Sequence, residues 1–171
     1  MNQAAYDGPR VLLEPGELHF GAAPLRISTL LGSCVSITLW HPRLRLGGMC
    51  HYVLGQRRQQ EELPLDGRFG DEAFALLLEA IRAHACRPGD FQAKLFGGGG
   101  MLTGPGAQLD IGQSNIAQGR RLLQAAGIPL ISEHVGGSGR RKITFDLASG
   151  QVWLAFPDGK GAQTRSPHGR Q

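Results

Sequence analysis

Cys34 and His51 are the residues of this sequence whose types and spacing best suit nucleophilic chemistry. A thiol has an ordinary pKa of about 8.5 and is only a few per cent ionised at neutral pH, so a nucleophilic cysteine needs a nearby base. Imidazole commonly serves as that base, because its pKa lies near neutrality. The pair therefore predicts covalent catalysis through a cysteine.

A predicted β-hairpin brings the two side chains together. Residues 35–40 alternate and are rich in β-branched and aromatic types, as in a strand, and residues 47–53 can form the returning strand. If residues 41–44 form the turn, with Pro42 at its favoured position, paired residue numbers sum to 85 and Cys34 faces His51. Directly opposed residues have Cβ atoms about 4.5–5.5 Å apart, which lets a thiol and an imidazole interact.

The residues before the thiol predict an oxyanion site. Gly32 and Ser33 precede Cys34 at the start of the strand. There the backbone N–H groups of Ser33 and Cys34 are free to point at a developing negative charge. Cys50 alternates to the opposite face of the strand from His51, so we interpret Cys50 as core packing.

Metal binding and serine hydrolysis lack their usual patterns. The cysteines and histidines form no C-x-x-C and no H-x-x-x-H, and Cys50 and His51 diverge on a strand, so we expect no metal site. Covalent catalysis by a thiol and an imidazole requires no cofactor, so we expect none. The sequence also contains no G-x-S-x-G motif, which disfavours a serine hydrolase.

Two glycine-rich segments, 97–100 and 136–139, fit neither the dinucleotide-binding pattern nor the P-loop pattern. We interpret them as turns or as walls that a substrate backbone approaches closely. The candidate substrate-loop residues are Gly98, Gly99, Gly137 and Ser138.

The rest of the chain predicts the elements that position this pair. Strands are expected near 18–20 and 25–30, after a loose start over residues 1–14. A helix capped by Asp71 carries an apolar stripe formed by Phe74, Leu77, Leu78 and Ile81. The later elements are a strand over 91–96, a helix over 114–126, a strand over 130–135 and a hairpin over 143–156. This order predicts an α+β fold of mixed β-sheets flanked by two helices.

Length and composition predict one domain over residues 1–157, followed by a disordered basic tail over residues 158–171. The first residues lack the charge and apolar core of a secretory signal, and no apolar run has membrane-spanning length. Three cysteines without close pair spacing fit reduced thiols. We therefore expect a cytoplasmic protein with no membrane insertion.

The positive charge does not predict nucleic-acid binding. The formal net charge is +4, but the only tight basic run covers residues 140–142. A solvated surface explains that run more simply than a nucleic-acid interface does. We expect no nucleic-acid partner.

Five separated blocks of the sequence closely resemble the CheD family, the chemoreceptor glutamine deamidases. The blocks are residues 31–35, then Gly47, Gly48 and His51, then residues 95–101, 110–115 and 133–140 with the closing hairpin. They occur in the family's order, and the similarity covers about residues 14–156. They include the family's catalytic signature, a Gly-Ser-Cys followed by a histidine 17 residues after the cysteine.

The resemblance implies a cysteine hydrolase that converts selected glutamines in the cytoplasmic helices of chemotaxis receptors to glutamate and releases ammonia. It also implies a fold similar to that of toxin-type cysteine deamidases. In the family a threonine six residues before the cysteine completes the catalytic group. Here that position is Ser28, with Thr29 beside it as the alternative third member. The alternative functions are a regulatory binding module for a CheC-type CheY-phosphate phosphatase and a receptor methylesterase.

Overall fold

The computed structural model describes residues 5–59, 62–100 and 110–159. Within these ranges the elements are, in chain order, β1 (Arg10–Leu12), β2 (Leu18–Ala22), β3 (Arg26–Leu31), β4 (Val35–His41), β5 (Leu46–Cys50), α1 (Gly70–Ala83), β6 (Gln92–Gly97), α2 (Ile111–Ala126), β7 (Leu130–Val135), β8 (Arg141–Asp146) and β9 (Val152–Ala155). The predicted order of strands, helix, strand, helix and strands is confirmed.

The strands form two mixed sheets. The five-stranded sheet has the order β2-β5-β4-β6-β7, and the four-stranded sheet has the order β1-β3-β8-β9. The pairs β6–β7 and β1–β3 are parallel, and the other pairs are antiparallel. The predicted α+β class is therefore confirmed.

One core lies between the five-stranded sheet and the two helices. Its buried side chains include Val35, Ile37 and Leu39 from β4, Leu95 from β6, Phe74, Leu77 and Ile81 from α1, and Ile116 and Leu123 from α2. The predicted apolar stripe of α1 faces this core, as the 3.6-residue period requires. Within the described ranges, neither helix combines the length and apolar character that a bilayer span needs.

A second core lies between the two sheets. It contains Ile27 and Leu31 from β3, Met49 from β5, Phe96 from β6, and Ile143 and Phe145 from β8. The molecule is thus layered as four-stranded sheet, five-stranded sheet and helices. The central sheet is covered on both faces, so β4 and β5 are buried along nearly their whole lengths.

Six strand ends meet at one edge of these layers. Leu31, the last residue of β3, pairs with Arg141, the first residue of β8. Val35, the first residue of β4, pairs with Gly97 at the end of β6, and Gly97 also pairs with Val135 at the end of β7. The end of β5 reaches the same edge, since Tyr52 bridges to Val35. Loops from distant parts of the sequence therefore converge here.

Some sequence predictions of local structure are wrong. The loose start contains β1, which pairs with β3. Helix α1 begins after Phe69, which forms no side-chain cap, and Asp71 lies in the first turn, where its charge suits the helix dipole. Of the predicted tail, residues 160–171 lie outside the described residues, as does Met101 of the third family-like block. That residues 1–157 form one domain stays a prediction.

Candidate active site

Cys34 lies where the chain crosses from one sheet to the other. Strand β3 belongs to the four-stranded sheet and β4 to the five-stranded sheet, so residues 32–34 span the gap between them. The side chain of Cys34 is half-buried and packs against the core between the sheets. Burial raises the pKa of Cys34 above its ordinary value, and the residue's own backbone N–H partly offsets this effect. The unassisted thiol is therefore protonated at neutral pH.

The β4–β5 hairpin has a register different from the predicted one. His41 pairs with Leu46, so paired residue numbers sum to 87 rather than 85. The turn contains residues 42–45, and Arg45 takes up a left-handed φ of 49°. The predicted turn, residues 41–44, is wrong by one residue at each end. It includes His41, which belongs to β4, and it omits Arg45, whose left-handed conformation belongs to the turn.

Cys34 and His51 are consequently diagonal neighbours rather than directly opposed residues. The register differs by two, an even number, so the two side chains still project from the same face of the sheet. The backbones of diagonal neighbours on two strands lie about 7–8 Å apart, a separation that long or aromatic side chains can span. Cys34 and His51 therefore share one face of the sheet, as predicted, but they do not lie directly opposite each other.

Thr29 holds one ring nitrogen of His51. The hydroxyl of Thr29 lies 2.7 Å from Nδ1 of His51, and the same hydroxyl donates to the backbone carbonyl of Leu13 at 2.7 Å. A hydroxyl has one hydrogen to donate, and here the Leu13 carbonyl receives it. The hydroxyl oxygen must therefore accept from Nδ1–H of His51, which places the imidazole proton on Nδ1.

Nε2 of His51 is then the basic nitrogen. It is buried and has no hydrogen-bond partner in the part of the chain that the structure describes. Burial lowers the pKa of His51 to about 4, because the charged imidazolium is poorly solvated there. At neutral pH the ring is uncharged and its Nε2 lone pair is available. Since burial also disfavours the thiolate of Cys34, the resting pair is neutral, and His51 is suited to act as a general base during attack.

The structure does not place Ser28 at the imidazole. Alternation along β3 turns Ile27, Thr29 and Leu31 towards the gap between the sheets and Ser28 away from it. Ser28 instead donates to the hydroxyl of Thr144 on the neighbouring strand β8, at 3.1 Å. The expectation that Ser28 orients His51 is therefore wrong in geometry, and the alternative, Thr29, makes the contact. Strand alternation places Thr29 on the same face as the apolar residues Leu25, Ile27 and Leu31. That alternation was the signal in the sequence that favoured Thr29 over Ser28.

The backbone before β4 presents free donors beside the thiol. Among the described residues, neither the N–H of Ser33 nor that of Cys34 donates to another residue. The next residue, Val35, already pairs with Tyr52. This geometry suits the predicted oxyanion role of Ser33 and Cys34, because unpaired N–H groups at a strand start can stabilise a developing charge.

Two of the substrate-loop candidates, Gly98 and Gly99, are buried against the turn that carries the thiol. Gly98 N–H donates to the carbonyl of Cys34 and Gly99 N–H to that of Gly32, both at 2.9 Å. A Cβ on Gly99 would lie 3.2 Å from the carbonyl oxygen of Gly32. These glycines therefore hold the backbone of residues 32–34, which carries the Cys34 thiol.

The other two candidates, Gly137 and Ser138, are exposed. Gly137 accepts from Gly100 N–H at 2.8 Å, and Ser138 bridges to Gly100. They lie at the rim of the same strand edge, and their contact with substrate stays a prediction.

Arg141 is buried and holds this rim through hydrogen bonds, although the sequence predicts that the basic run over residues 140–142 is a solvated surface. Its side chain is 2% exposed. Its Nη1 donates to the carbonyl of His134 at 2.7 Å, and its Nη2 donates to the carbonyl of Gly136. A buried guanidinium requires such partners, so Arg141 belongs to the loop scaffold and not to a charged surface.

Asn115 of α2 also reaches the turn that carries the Cys34 thiol. Its side-chain Nδ2 donates to the carbonyl of Ser33 at 3.1 Å and to the carbonyl of Val53 at 2.8 Å. The sequence indicated Asn115 only as part of one of the family-like blocks. Its pattern of contacts depends on how the chain folds, and no local motif reports it.

Cys50 is separated from this chemistry. It is fully buried in the core beneath the helices, on the opposite face from His51, so its predicted core role is confirmed. Burial raises the pKa of Cys50 to about 12. Within the described residues, no three histidine, cysteine or acidic side chains are grouped as metal ligands would be.

These features define an α+β protein in which a thiol at a sheet crossover shares one sheet face with a neutral imidazole that a hydroxyl orients. Cysteine-type acyl-transfer enzymes use the same combination of nucleophile, base and orienting group.

Comparison with known proteins identifies the family. A family model described as CheD, chemotactic sensory transduction, matches residues 53–156. A probable chemoreceptor glutamine deamidase CheD 3 from Dechloromonas aromatica is 61% identical over 170 residues, covering 99% of this chain and 100% of the relative. A probable chemoreceptor glutamine deamidase CheD 1 from Chromobacterium violaceum is 48% identical over 149 residues, covering 86% and 77%. The chain belongs to the CheD family.

Proposed function

We propose that this protein is a chemoreceptor glutamine deamidase: it hydrolyses the side-chain amide of selected receptor glutamines to glutamate and releases ammonia. The observation that carries the proposal is the oriented imidazole, whose free Nε2 lies on the same sheet face as the Cys34 thiol. The names of the relatives supply the substrate class. Cys34 is the proposed nucleophile, His51 the acid and base, and Thr29 the orienting group.

The acylation step follows from the protonation states at the site. Nε2 of His51 takes the thiol proton as Sγ of Cys34 attacks the amide carbon of the glutamine. The negative charge that forms on the amide oxygen is stabilised by the N–H groups of Ser33 and Cys34. His51 then donates its proton to the departing nitrogen. The carbon–nitrogen bond breaks, ammonia leaves and a thioester remains on Cys34.

Deacylation uses the same groups in reverse. Nε2 of His51 takes a proton from water as the water oxygen attacks the thioester carbon. The carbon–sulfur bond breaks, the thiol recovers its proton from His51, and glutamate is released. Thr29 keeps the proton of His51 on Nδ1 in both steps, so that Nε2 is the nitrogen that exchanges protons.

The proposed setting is the cytoplasm, where the helices of chemotaxis receptors would be the substrate. A CheC-type phosphatase is the second partner that we propose, on the family resemblance alone. Binding of the phosphatase to immobilised wild-type protein that has no deamidase activity would favour the alternative, a regulatory binding module. Absence of binding by the active protein would remove the phosphatase from the proposal.

A cytoplasmic receptor fragment tests the deamidase proposal directly. After incubation in oxygen-18 water, mass spectrometry should show labelled glutamate at defined glutamine positions, with an equal amount of ammonia released. The Cys34→Ala variant should have no activity, whereas Cys86→Ala, which removes another half-buried thiol, should match the wild type. Release of methanol without ammonia would identify a methylesterase, and unchanged deamidation by Cys34→Ala would refute the mechanism.

A further inference from the structure

Asn115 connects the two segments that carry the proposed nucleophile and base. It lies on the buried stripe of α2 and is 1% exposed. Its side chain contacts the carbonyls of Ser33 and Val53. Ser33 directly precedes Cys34, and Val53 follows His51 by two residues. A carbonyl can only accept, so both contacts use the hydrogens of the Asn115 side-chain amide nitrogen. One NH₂ group therefore joins both segments.

The contact with Ser33 has a consequence for the oxyanion site. The carbonyl of Ser33 and the N–H of Cys34 belong to one planar peptide unit and point in opposite directions. Fixing the carbonyl end towards Asn115 therefore fixes the direction of the N–H end. A hydrogen bond accepted at the carbonyl also polarises the peptide and strengthens its N–H as a donor. The Cys34 N–H donates to no other residue among those described.

We propose that Asn115 is a positioning residue that aims the Ser33–Cys34 peptide at the oxyanion and holds it in register with the segment that carries His51. The proposal rests on the deamidase function proposed above and deepens it, because it says how the oxyanion donor is held. Asn115 touches neither the substrate nor the reacting atoms. It acts through the peptide of the nucleophile.

Helix α2 has other anchors, so loss of the Asn115 side chain need not displace it. Ile116 and Leu123 are buried in the core on the same helix. The hydroxyl of Tyr52 donates to the backbone carbonyl of Asn115 at 2.6 Å, a contact that any residue at position 115 retains. Gln118 provides a matched control on the same helix, because its side-chain amide donates to the carbonyl of Gly55 at 3.2 Å, in the loop beyond the site.

The experiment compares two reactions of the same thiol in the full chain. Acylation of Cys34 by p-nitrophenyl acetate passes through an oxyanion, and the burst of p-nitrophenolate reports its rate. Alkylation of Cys34 by iodoacetamide forms no oxyanion, and mass spectrometry of the Cys34 peptide reports its rate. The ratio of the two rates therefore isolates oxyanion stabilisation from thiol ionisation and access. Thermal unfolding of each variant shows whether it is folded.

Asn115→Ala should lower the acylation rate at least about tenfold relative to the alkylation rate, since loss of a direct oxyanion donor costs about 10²–10³-fold. Gln118→Ala should keep the wild-type ratio. If Asn115→Ala does not fold, Asn115→Asp keeps the side-chain volume while replacing the donating nitrogen by oxygen, and the same drop in ratio is expected.

Three results would overturn the inference: an unchanged ratio in a folded Asn115 variant, a parallel loss of both reactions, or a wild type with no Cys34-dependent burst. Deamidation of the receptor fragment by the wild type is measured separately. A wild type that acylates normally but leaves receptor glutamines intact would remove the proposed function and leave the assignment of Asn115 standing.

Discussion

The hydroxyl of Thr29 lies 2.7 Å from Nδ1 of His51, and this contact joins the four-stranded sheet to the five-stranded sheet. Because the same hydroxyl donates to the carbonyl of Leu13, the imidazole proton is held on Nδ1. The other ring nitrogen, Nε2, is thereby left without a proton and has no partner among the described residues. The orientation of the base is thus set by a residue on the opposite layer of the molecule.

Replacing Thr29 with valine should lower kcat about 10–100-fold, because a misoriented imidazole loses part of its acid–base contribution of about 10²–10⁴-fold. Valine keeps the shape of threonine but cannot accept from Nδ1–H. Steady-state deamidation of a receptor fragment measures the effect. Thr29→Ser should retain most activity, and Ser28→Ala should resemble the wild type. Loss of activity in Ser28→Ala with normal activity in Thr29→Val would contradict the assignment.

The pH dependence of kcat/KM should have its acid limb near pH 4. His51 must be neutral to accept the thiol proton, and burial lowers the pKa of His51 to about 4. The alkaline limb should lie above the ordinary thiol pKa of about 8.5, because burial raises the pKa of Cys34. Initial rates across this range, with circular dichroism to confirm folding, test the prediction. An acid limb near pH 6.5 would show that the imidazole is not desolvated as described.

The free energy of unfolding should fall as the pH is lowered from about 6.5 towards 4. The pKa of His51 is lower in the folded protein than its ordinary value of 6.5, so the unfolded state binds more protons in this window. The stability present above pH 6.5 is lost by up to about 3 kcal/mol as the pH approaches 4. Urea titrations of the wild type and of His51→Asn measure the difference, since other titrating groups are common to both. Equal pH dependence of the two proteins would refute the prediction.

Gly98→Ala should destabilise the protein more than Gly127→Ala does. Both glycines have left-handed φ values, 67° and 69°, so the backbone cost of about 1 kcal/mol is shared. A Cβ on Gly98 would overlap the side chain of Ile116, whereas a Cβ on Gly127 meets nothing within 4 Å. Chemical denaturation should therefore show an additional loss of about 1–3 kcal/mol for Gly98→Ala. Equal losses would mean that α2 does not pack on Gly98 as described.

Alkylation of the native protein should distinguish Cys34 from Cys50. Cys34 is partly accessible, whereas Cys50 is fully buried and has a pKa raised to about 12. Timed exposure to iodoacetamide, followed by peptide mass spectrometry, should label Cys34 long before Cys50. Both should react once the protein is unfolded in urea. Comparable native rates would contradict the placement of Cys50 in the helix-side core.

The order and type of the elements, and the face on which the pair lies, could be predicted from the sequence. Periodicity identifies the stripe that buries Leu77 and Ile81, and strand alternation puts Cys34 and His51 on one face. A register error of two residues leaves that face unchanged, which is why the wrong turn still placed both residues on one face although they are not directly paired. The error arose because Arg45, which has no glycine-like signal, adopts a left-handed conformation.

The parts of the site that were missed depend on contacts between distant segments. The choice between Ser28 and Thr29 follows from strand parity, which Leu25, Ile27 and Leu31 already indicated. The roles of Asn115 and Arg141 had no such signal. Each side chain donates hydrogen bonds to backbone carbonyls that the fold brings near it at the strand ends. No pattern in the sequence shows which carbonyls these will be.

The crossover of residues 32–34 from one sheet to the other makes the site sensitive to the alignment of two layers. Sliding the sheets past each other by one residue, about 3.3 Å, would separate Thr29 from His51 without breaking a single ladder hydrogen bond. Shear between the layers would therefore switch the chemistry off while each sheet stayed intact.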